Sequence, residues 1–131
     1  MSANIHIEAD PDRDLVRIKL SGFFTPADVD AFLAARRKAH ARLRCGPNQH
    51  LTLNDISEMK IQPQDTVAAF RDVLAAREFH SRKLAFIVGT TLAKAQVIRA
   101  LEGRDARCFT DRVIAEAWLF DQFGLESTSA A

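Results

Sequence analysis

Leu84-Ala85-Phe86-Ile87-Val88, closed by Gly89, is the stretch on which the fold turns. Apolar residues in unbroken succession leave a strand no polar side. Such a strand is covered on both faces, as in the interior of a parallel sheet. Parallel neighbours are joined by crossovers, normally helical, so helices are expected on either side of the run. Upstream, Pro63 opens a helix whose Val67, Phe70, Val73 and Leu74 share one face at 3.6-residue spacing. Downstream, Thr90 or Thr91 caps a helix running to about Glu102, and Gly103 ends it. Arg107-Cys108-Phe109 then reads as a short strand, and Asp111 caps a last helix through Val113, Ile114, Ala117 and Trp118.

Working back to the N-terminus, His50 to Ile56 forms a strand around Leu51 and Leu53. Thr25 as N-cap, Pro26 at the first helical position and Asp28 against the positive helix end start a helix. That helix runs to Leu43 and stops before Cys45-Gly46-Pro47. Residues 3–9 and 14–21 alternate apolar and polar side chains, Ile5 and Ile7 in the first and Val16, Ile18 and Leu20 in the second. Asp10-Pro11-Asp12-Arg13 supplies the turn of a hairpin between them. The order β-β-α-β-α-β-α-β-α predicts an α/β domain: a mostly parallel four- to five-stranded sheet, an N-terminal antiparallel hairpin and about four helices.

The 131 residues, 47% hydrophobic and 27% charged, fit one domain with its own core, over residues 1–125, followed by a flexible tail at 126–131. A formal charge of +1 argues against a nucleic-acid binder. No stretch reaches a membrane span, and Met1-Ser2-Ala3-Asn4-Ile5-His6 has no signal-peptide character, so a cytoplasmic protein is expected. Cys45 and Cys108 then read as reduced thiols. His6, His40, His50 and His80 fall in separate elements without metal-ligand spacing, so neither metal nor cofactor is expected. No nucleophile stands beside an evident base, which points away from an enzyme.

Ligand sites in open parallel sheets gather at the carboxyl ends of the strands. Here those ends offer Gly22, Phe23 and Phe24; Asn54, Asp55 and Ser57; Gly89, Thr90 and Thr91; and Thr110 and Asp111. On the first helix, Val29, Phe32, Leu33 and Leu43 mark a buried face into which Arg36 falls, with His40 beside it. A buried arginine needs a partner, and the pair is a candidate for an anionic ligand or a partner's acid. The alternative lays the Arg36 stem along the sheet and carries its guanidinium to water. Arg37, Lys38, Arg42 and Arg44 spread over different faces, as on a solvated surface.

Four strings, in this order and spacing, resemble the STAS superfamily, and within it the SpoIIAA-like stand-alone group of the anti-sigma-factor antagonist fold. They are Leu15-Val16-Arg17-Ile18-Lys19-Leu20-Ser21-Gly22, Leu51-Thr52-Leu53-Asn54-Asp55-Ile56-Ser57, Phe86-Ile87-Val88-Gly89, and Cys108-Phe109-Thr110-Asp111 leading to Ala115-Glu116-Ala117-Trp118-Leu119. The resemblance implies a non-enzymatic regulatory module that docks a protein partner, or a small ligand, near the loop after the third strand. In the phospho-regulated antagonists that loop carries an Asp-Ser-Ser-Gly-type stretch with a phosphorylated serine. This chain departs from the pattern: no Ser-Gly pair stands there, and the nearest hydroxyls, Ser57 and Thr66, lie outside the motif. The alternative function is a small-molecule or lipid carrier, with an apolar pocket between helices and sheet lined by Phe24, Phe32, Phe70 and Phe86. Phe120, Phe123 and Leu125 leave open a homodimer surface.

Overall fold

The computed structural model describes residues 3–46, 48–60, 62–75, 80–89 and 106–121. Five strands form one sheet in chain order: β1 (Asn4–Asp10), β2 (Leu15–Gly22), β3 (Leu51–Met59), β4 (Lys83–Ile87) and β5 (Ala106–Phe109). β1 pairs antiparallel to β2, and the remaining pairs are parallel. The expected hairpin at one edge of a parallel sheet is therefore present. Three helices are described: α1 (Pro26–His40), α2 (Gln64–Ala75) and α3 (Arg112–Leu119). The helix expected from Thr90 or Thr91 to Glu102 lies outside the described residues, as do Phe123, Leu125 and the tail.

The run from Leu84 to Val88 is buried throughout, because both faces of the sheet are covered. Val16, Ile18, Leu20, Ile56, Leu84 and Phe86 share a core with Val29 and Phe32 of α1 and Val73 of α2. On the opposite face Leu51, Leu53, Ala85 and Ile87 meet Ala115, Trp118 and Leu119 of α3. The α3 face thus follows Ala115, Trp118 and Leu119, while Val113 and Ile114 stand in solvent. Burial of these side chains is the main favourable contribution to folding, at about 25 cal/mol for each Å² of apolar surface removed from water.

Local chemistry fixes the helix starts. Thr25 Oγ1 accepts from the Asp28 amide at 3.2 Å, and the Asp28 carboxylate accepts from the Thr25 amide at 2.8 Å. This reciprocal box satisfies two amides that a helix start leaves unpaired. Asp111 Oδ1 accepts from the amides of Val113 and Ile114 at 2.7 and 3.2 Å. α1 ends at His40, earlier than Leu43, because the amides of Arg42 and Leu43 turn back to the carbonyls of Ala39 and His40. β3 runs three residues beyond Ile56, to Met59. Between Lys19 and Ser21 of β2 the facing strand advances from Asp55 to Glu58, so β3 carries one extra residue there. Such a bulge bends the strand and re-aims its side chains.

Candidate functional site

The carboxyl ends of β3, β4 and β5 meet the start of α3 in one region, and the bulge in β3 shapes its first wall. Asp55 Oδ1 accepts from the Ser57 hydroxyl at 2.6 Å and from the Ser57 amide at 3.0 Å. Beyond them Lys19 Nζ and the Glu58 carboxylate form an ion pair at 2.6 Å. The hydrogen bond to Glu58 and its charge raise the Lys19 pKa above the ordinary 10.5. Gly89 closes against this wall: a Cβ built on it would lie 2.5 Å from the Ser57 carbonyl oxygen. Only a residue without a side chain allows that backbone approach.

Next to Gly89 lies an open pocket of about 280 Å³, lined by Val88, Cys108, Phe109, Thr110, Asp111 and Ile114. The Val88 amide donates to the Phe109 carbonyl at 2.9 Å, which carries the β4–β5 pairing up to the pocket rim. The lining mixes apolar side chains with the Thr110 hydroxyl and the Asp111 carboxylate. Asp111 is already engaged by the α3 amides, so its role here is to hold the helix start at the rim.

The structure sorts the sequence candidates. Asp55, Ser57 and Gly89 come together. Thr90 and Thr91 lie outside the described residues. Asn54 does not face the site: it pairs in register with Ile18 and Phe86 inside the sheet and is 8% exposed, because β3 continues well past it. Its Oδ1 is buried without a hydrogen-bond partner among the described residues. Phe24 is a core residue, 1% exposed, with its ring edge-on to Phe70 at 5.6 Å between centroids. Thr66 is buried and donates its hydroxyl to the Phe24 carbonyl at 2.7 Å, so no modifying enzyme reaches it in the folded state. Ser57 is half-buried, and a phosphate there would face the carboxylate of Asp55.

Arg36 and His40 turn to different neighbours. The Arg36 guanidinium carbon lies 5.7 Å from the centroid of the Phe32 ring on its own helix. The His40 ring turns away to His50, with 3.0 Å between the two Nε2 atoms. That contact, between histidines that sequence reading left in separate elements, had no local signal; a turn brings together positions ten apart. Gln62 was missed too. Its Oε1 accepts from the Phe24 amide at 2.8 Å and its Nε2 donates to the Gly22 carbonyl at 2.9 Å, which ties the end of β2 to the approach of α2. Gly22 itself sits at φ 84°, in the left-handed region that favours glycine. Among the described residues no three His, Cys, Asp or Glu side chains could hold a metal ion. No helix among them is long and apolar enough to cross a membrane.

No family model matches this chain, and a search of curated proteins finds no match. Among solved structures, the chain is similar to an uncharacterized protein of the DUF3478 family with a SpoIIAA-like fold, from Shewanella loihica PV-4. The TM-score is 0.68 at 19% identity, covering 90% of this chain and 94% of that one. The fold of this chain is therefore SpoIIAA-like, as the sequence strings imply.

Proposed function

We propose that the protein is a non-enzymatic, STAS-type regulatory module that docks a protein partner at the carboxyl ends of β3, β4 and β5. The observation that carries this reading is the contact of Gly89 on the Ser57 carbonyl, beside an open pocket. A backbone approach this close builds a fixed surface, and binding residues are concentrated on segments held rigidly at the ends of such a scaffold. Binding rather than catalysis is favoured by the company Ser57 keeps. Its hydroxyl is committed to a carboxylate, while the histidine pair lies at the other end of β3, roughly 20 Å away at about 3.3 Å per residue.

Among the described residues, the space between helices and sheet gives the carrier alternative no support. The rings of Phe24, Phe32 and Phe70 pack edge to face there, with centroids 5.6 and 6.1 Å apart. The open pocket lies elsewhere and, at about 280 Å³, is at the lower limit for a small-molecule site.

The test is photo-crosslinking in the source cell, with a benzophenone amino acid at exposed position 58 and, as control, at exposed position 12. A discrete protein adduct is expected from 58 and not from 12. The same adducts from both positions, or none from 58 in a folded protein, would refute the assignment.

A further inference from the structure

His40, the last residue of α1, and His50, just before β3, face each other at the amino end of the sheet. The Nδ1 of His40 lies 2.8 Å from the Arg36 carbonyl oxygen. A carbonyl only accepts, so Nδ1 carries the proton and, in the neutral ring, Nε2 offers a lone pair. His50 is 3% exposed, and its Nε2 stands 3.0 Å from His40 Nε2. The contact is a hydrogen bond only if His50 Nε2 donates. Exactly one proton therefore belongs between the two nitrogens.

The pair joins three segments of chain. The Arg82 amide, at the entry to β4, donates to the His50 carbonyl at 2.8 Å, and the Leu43 amide donates to the His40 carbonyl at 3.1 Å. Ser81 Oγ lies 3.4 Å from His50 Nε2 and 2.6 Å from Thr52 Oγ1. We propose that His40 and His50 form an acid-operated latch: one proton between the two Nε2 atoms fastens the end of α1 to the entry of β3, and a second drives them apart. With both rings charged, each Nε2 carries a hydrogen, and two like-charged rings packed edge to face, with centroids 4.4 Å apart, hold their Nε2 donors at hydrogen-bond distance.

The surrounding charges favour release. Arg36 stands on the same helix, and Arg37, Lys38 and Arg42 add exposed cations at its end. The entry to β4 contributes Arg82, with His80 two residues before it. The carboxylate on the neighbouring β1–β2 turn, Asp14, accepts from the amides of Arg44 and Cys45 at 2.9 and 3.1 Å. On α2, Arg71 and Asp72 are exposed and of opposite sign. Burial, together with the Arg36 charge, outweighs the bond to the Arg36 carbonyl and holds the His40 pKa below the ordinary 6.5. A histidine lowered by folding contributes stability that is present above 6.5 and is lost as pH falls through its lower folded value.

The experiment combines nitrogen-resolved NMR of the imidazoles with amide hydrogen exchange of the full chain between pH 7.5 and 4. At neutral pH, His40 should show its proton on Nδ1 and His50 on Nε2. On acidification, the opening constants at Leu43 and Arg82, corrected for intrinsic exchange, should rise by up to about tenfold per pH unit for each extra proton bound. Amides inside β3 should stay closed over the same range. In His50→Gln the side-chain amide still donates to His40 Nε2, and by turning over it can accept from a charged His40. The acid dependence at Leu43 should then flatten. The latch is refuted if Leu43 and Arg82 open only together with the β3 amides, or if His50→Gln keeps the parent's pH slope. Should the variant not fold, the comparison within the parent protein decides alone.

Discussion

Gly89 shows how one absent side chain shapes a surface. Alanine there would bring its methyl to 2.5 Å from the Ser57 carbonyl oxygen, and that obstacle is backbone and cannot swing aside. Gly89→Ala should therefore cost about 1–3 kcal/mol, the usual penalty for overpacking. Urea unfolding at neutral pH checks the value; an unchanged midpoint would mean that β3 and the end of β4 yield easily and that the site is not rigid. Gly89 and Ser57 were both legible as strand-end residues, because an apolar run ending in glycine marks where a strand stops. Their mutual contact was not legible, since it depends on the bulge in β3 and not on either local sequence. Phe24 and Thr66 illustrate the opposite error. A phenylalanine at a strand end and a threonine in a helix's first turn look available on paper, yet a hydrogen bond links them inside the core.

Among the elements, α3 is the most exposed to small changes. It has eight residues, too few to persist by helix propensity alone, so its cap and its packing decide whether it forms. Asp111→Ala removes the acceptor for two amides and should destabilise the protein by about 1 kcal/mol. Near-ultraviolet circular dichroism of Trp118, followed through a urea titration, measures the loss; Asp111→Asn should recover most of it. If Asp111→Ala leaves the midpoint in place, the cap contributes nothing and packing of Trp118 alone holds the helix. The hairpin, α1, β3, α2 and β4 could all be read from periodicity and caps, because each has a repeating apolar pattern or a strong start signal. The orientation of α3 resisted reading. Val113 and Ile114 stand at helical spacing from Ala117 and Trp118, whereas the buried face follows from Ala115, whose small side chain lets the helix approach the sheet.

The charges that bind α3 to the hairpin act across the whole molecule. Arg17 reaches Glu8 and Asp10 of β1 and Glu116 of α3, each at 3.4 Å, so one guanidinium on β2 spans sequence positions more than a hundred apart. Burial raises the Glu116 pKa, but hydrogen bonds and charge from Arg112 and Arg17 outweigh it and leave the value below 4.5. A carboxylate lowered by folding contributes stability that is full above 4.5 and is lost as pH falls through its folded value. Glu116→Gln should therefore cost about 1 kcal/mol at pH 7, with the deficit against the parent shrinking below pH 4.5, as urea midpoints at several pH values would show. A deficit independent of pH would assign the loss to packing. The sheet order carries a last consequence. Because the strands run in chain order from β1 to β5, successive crossovers never reverse direction, and the sheet has no topological switch point at which diverging connections would open a crevice. Among the described helices, α1 and α2 cover one face of the sheet, and α3, reached from β5 through Thr110 and Asp111, covers the other. The pocket beside Val88 and Ile114 lies where the chain steps off β5 onto the α3 face, so the start of that helix opens the space that a change of direction opens in doubly wound sheets.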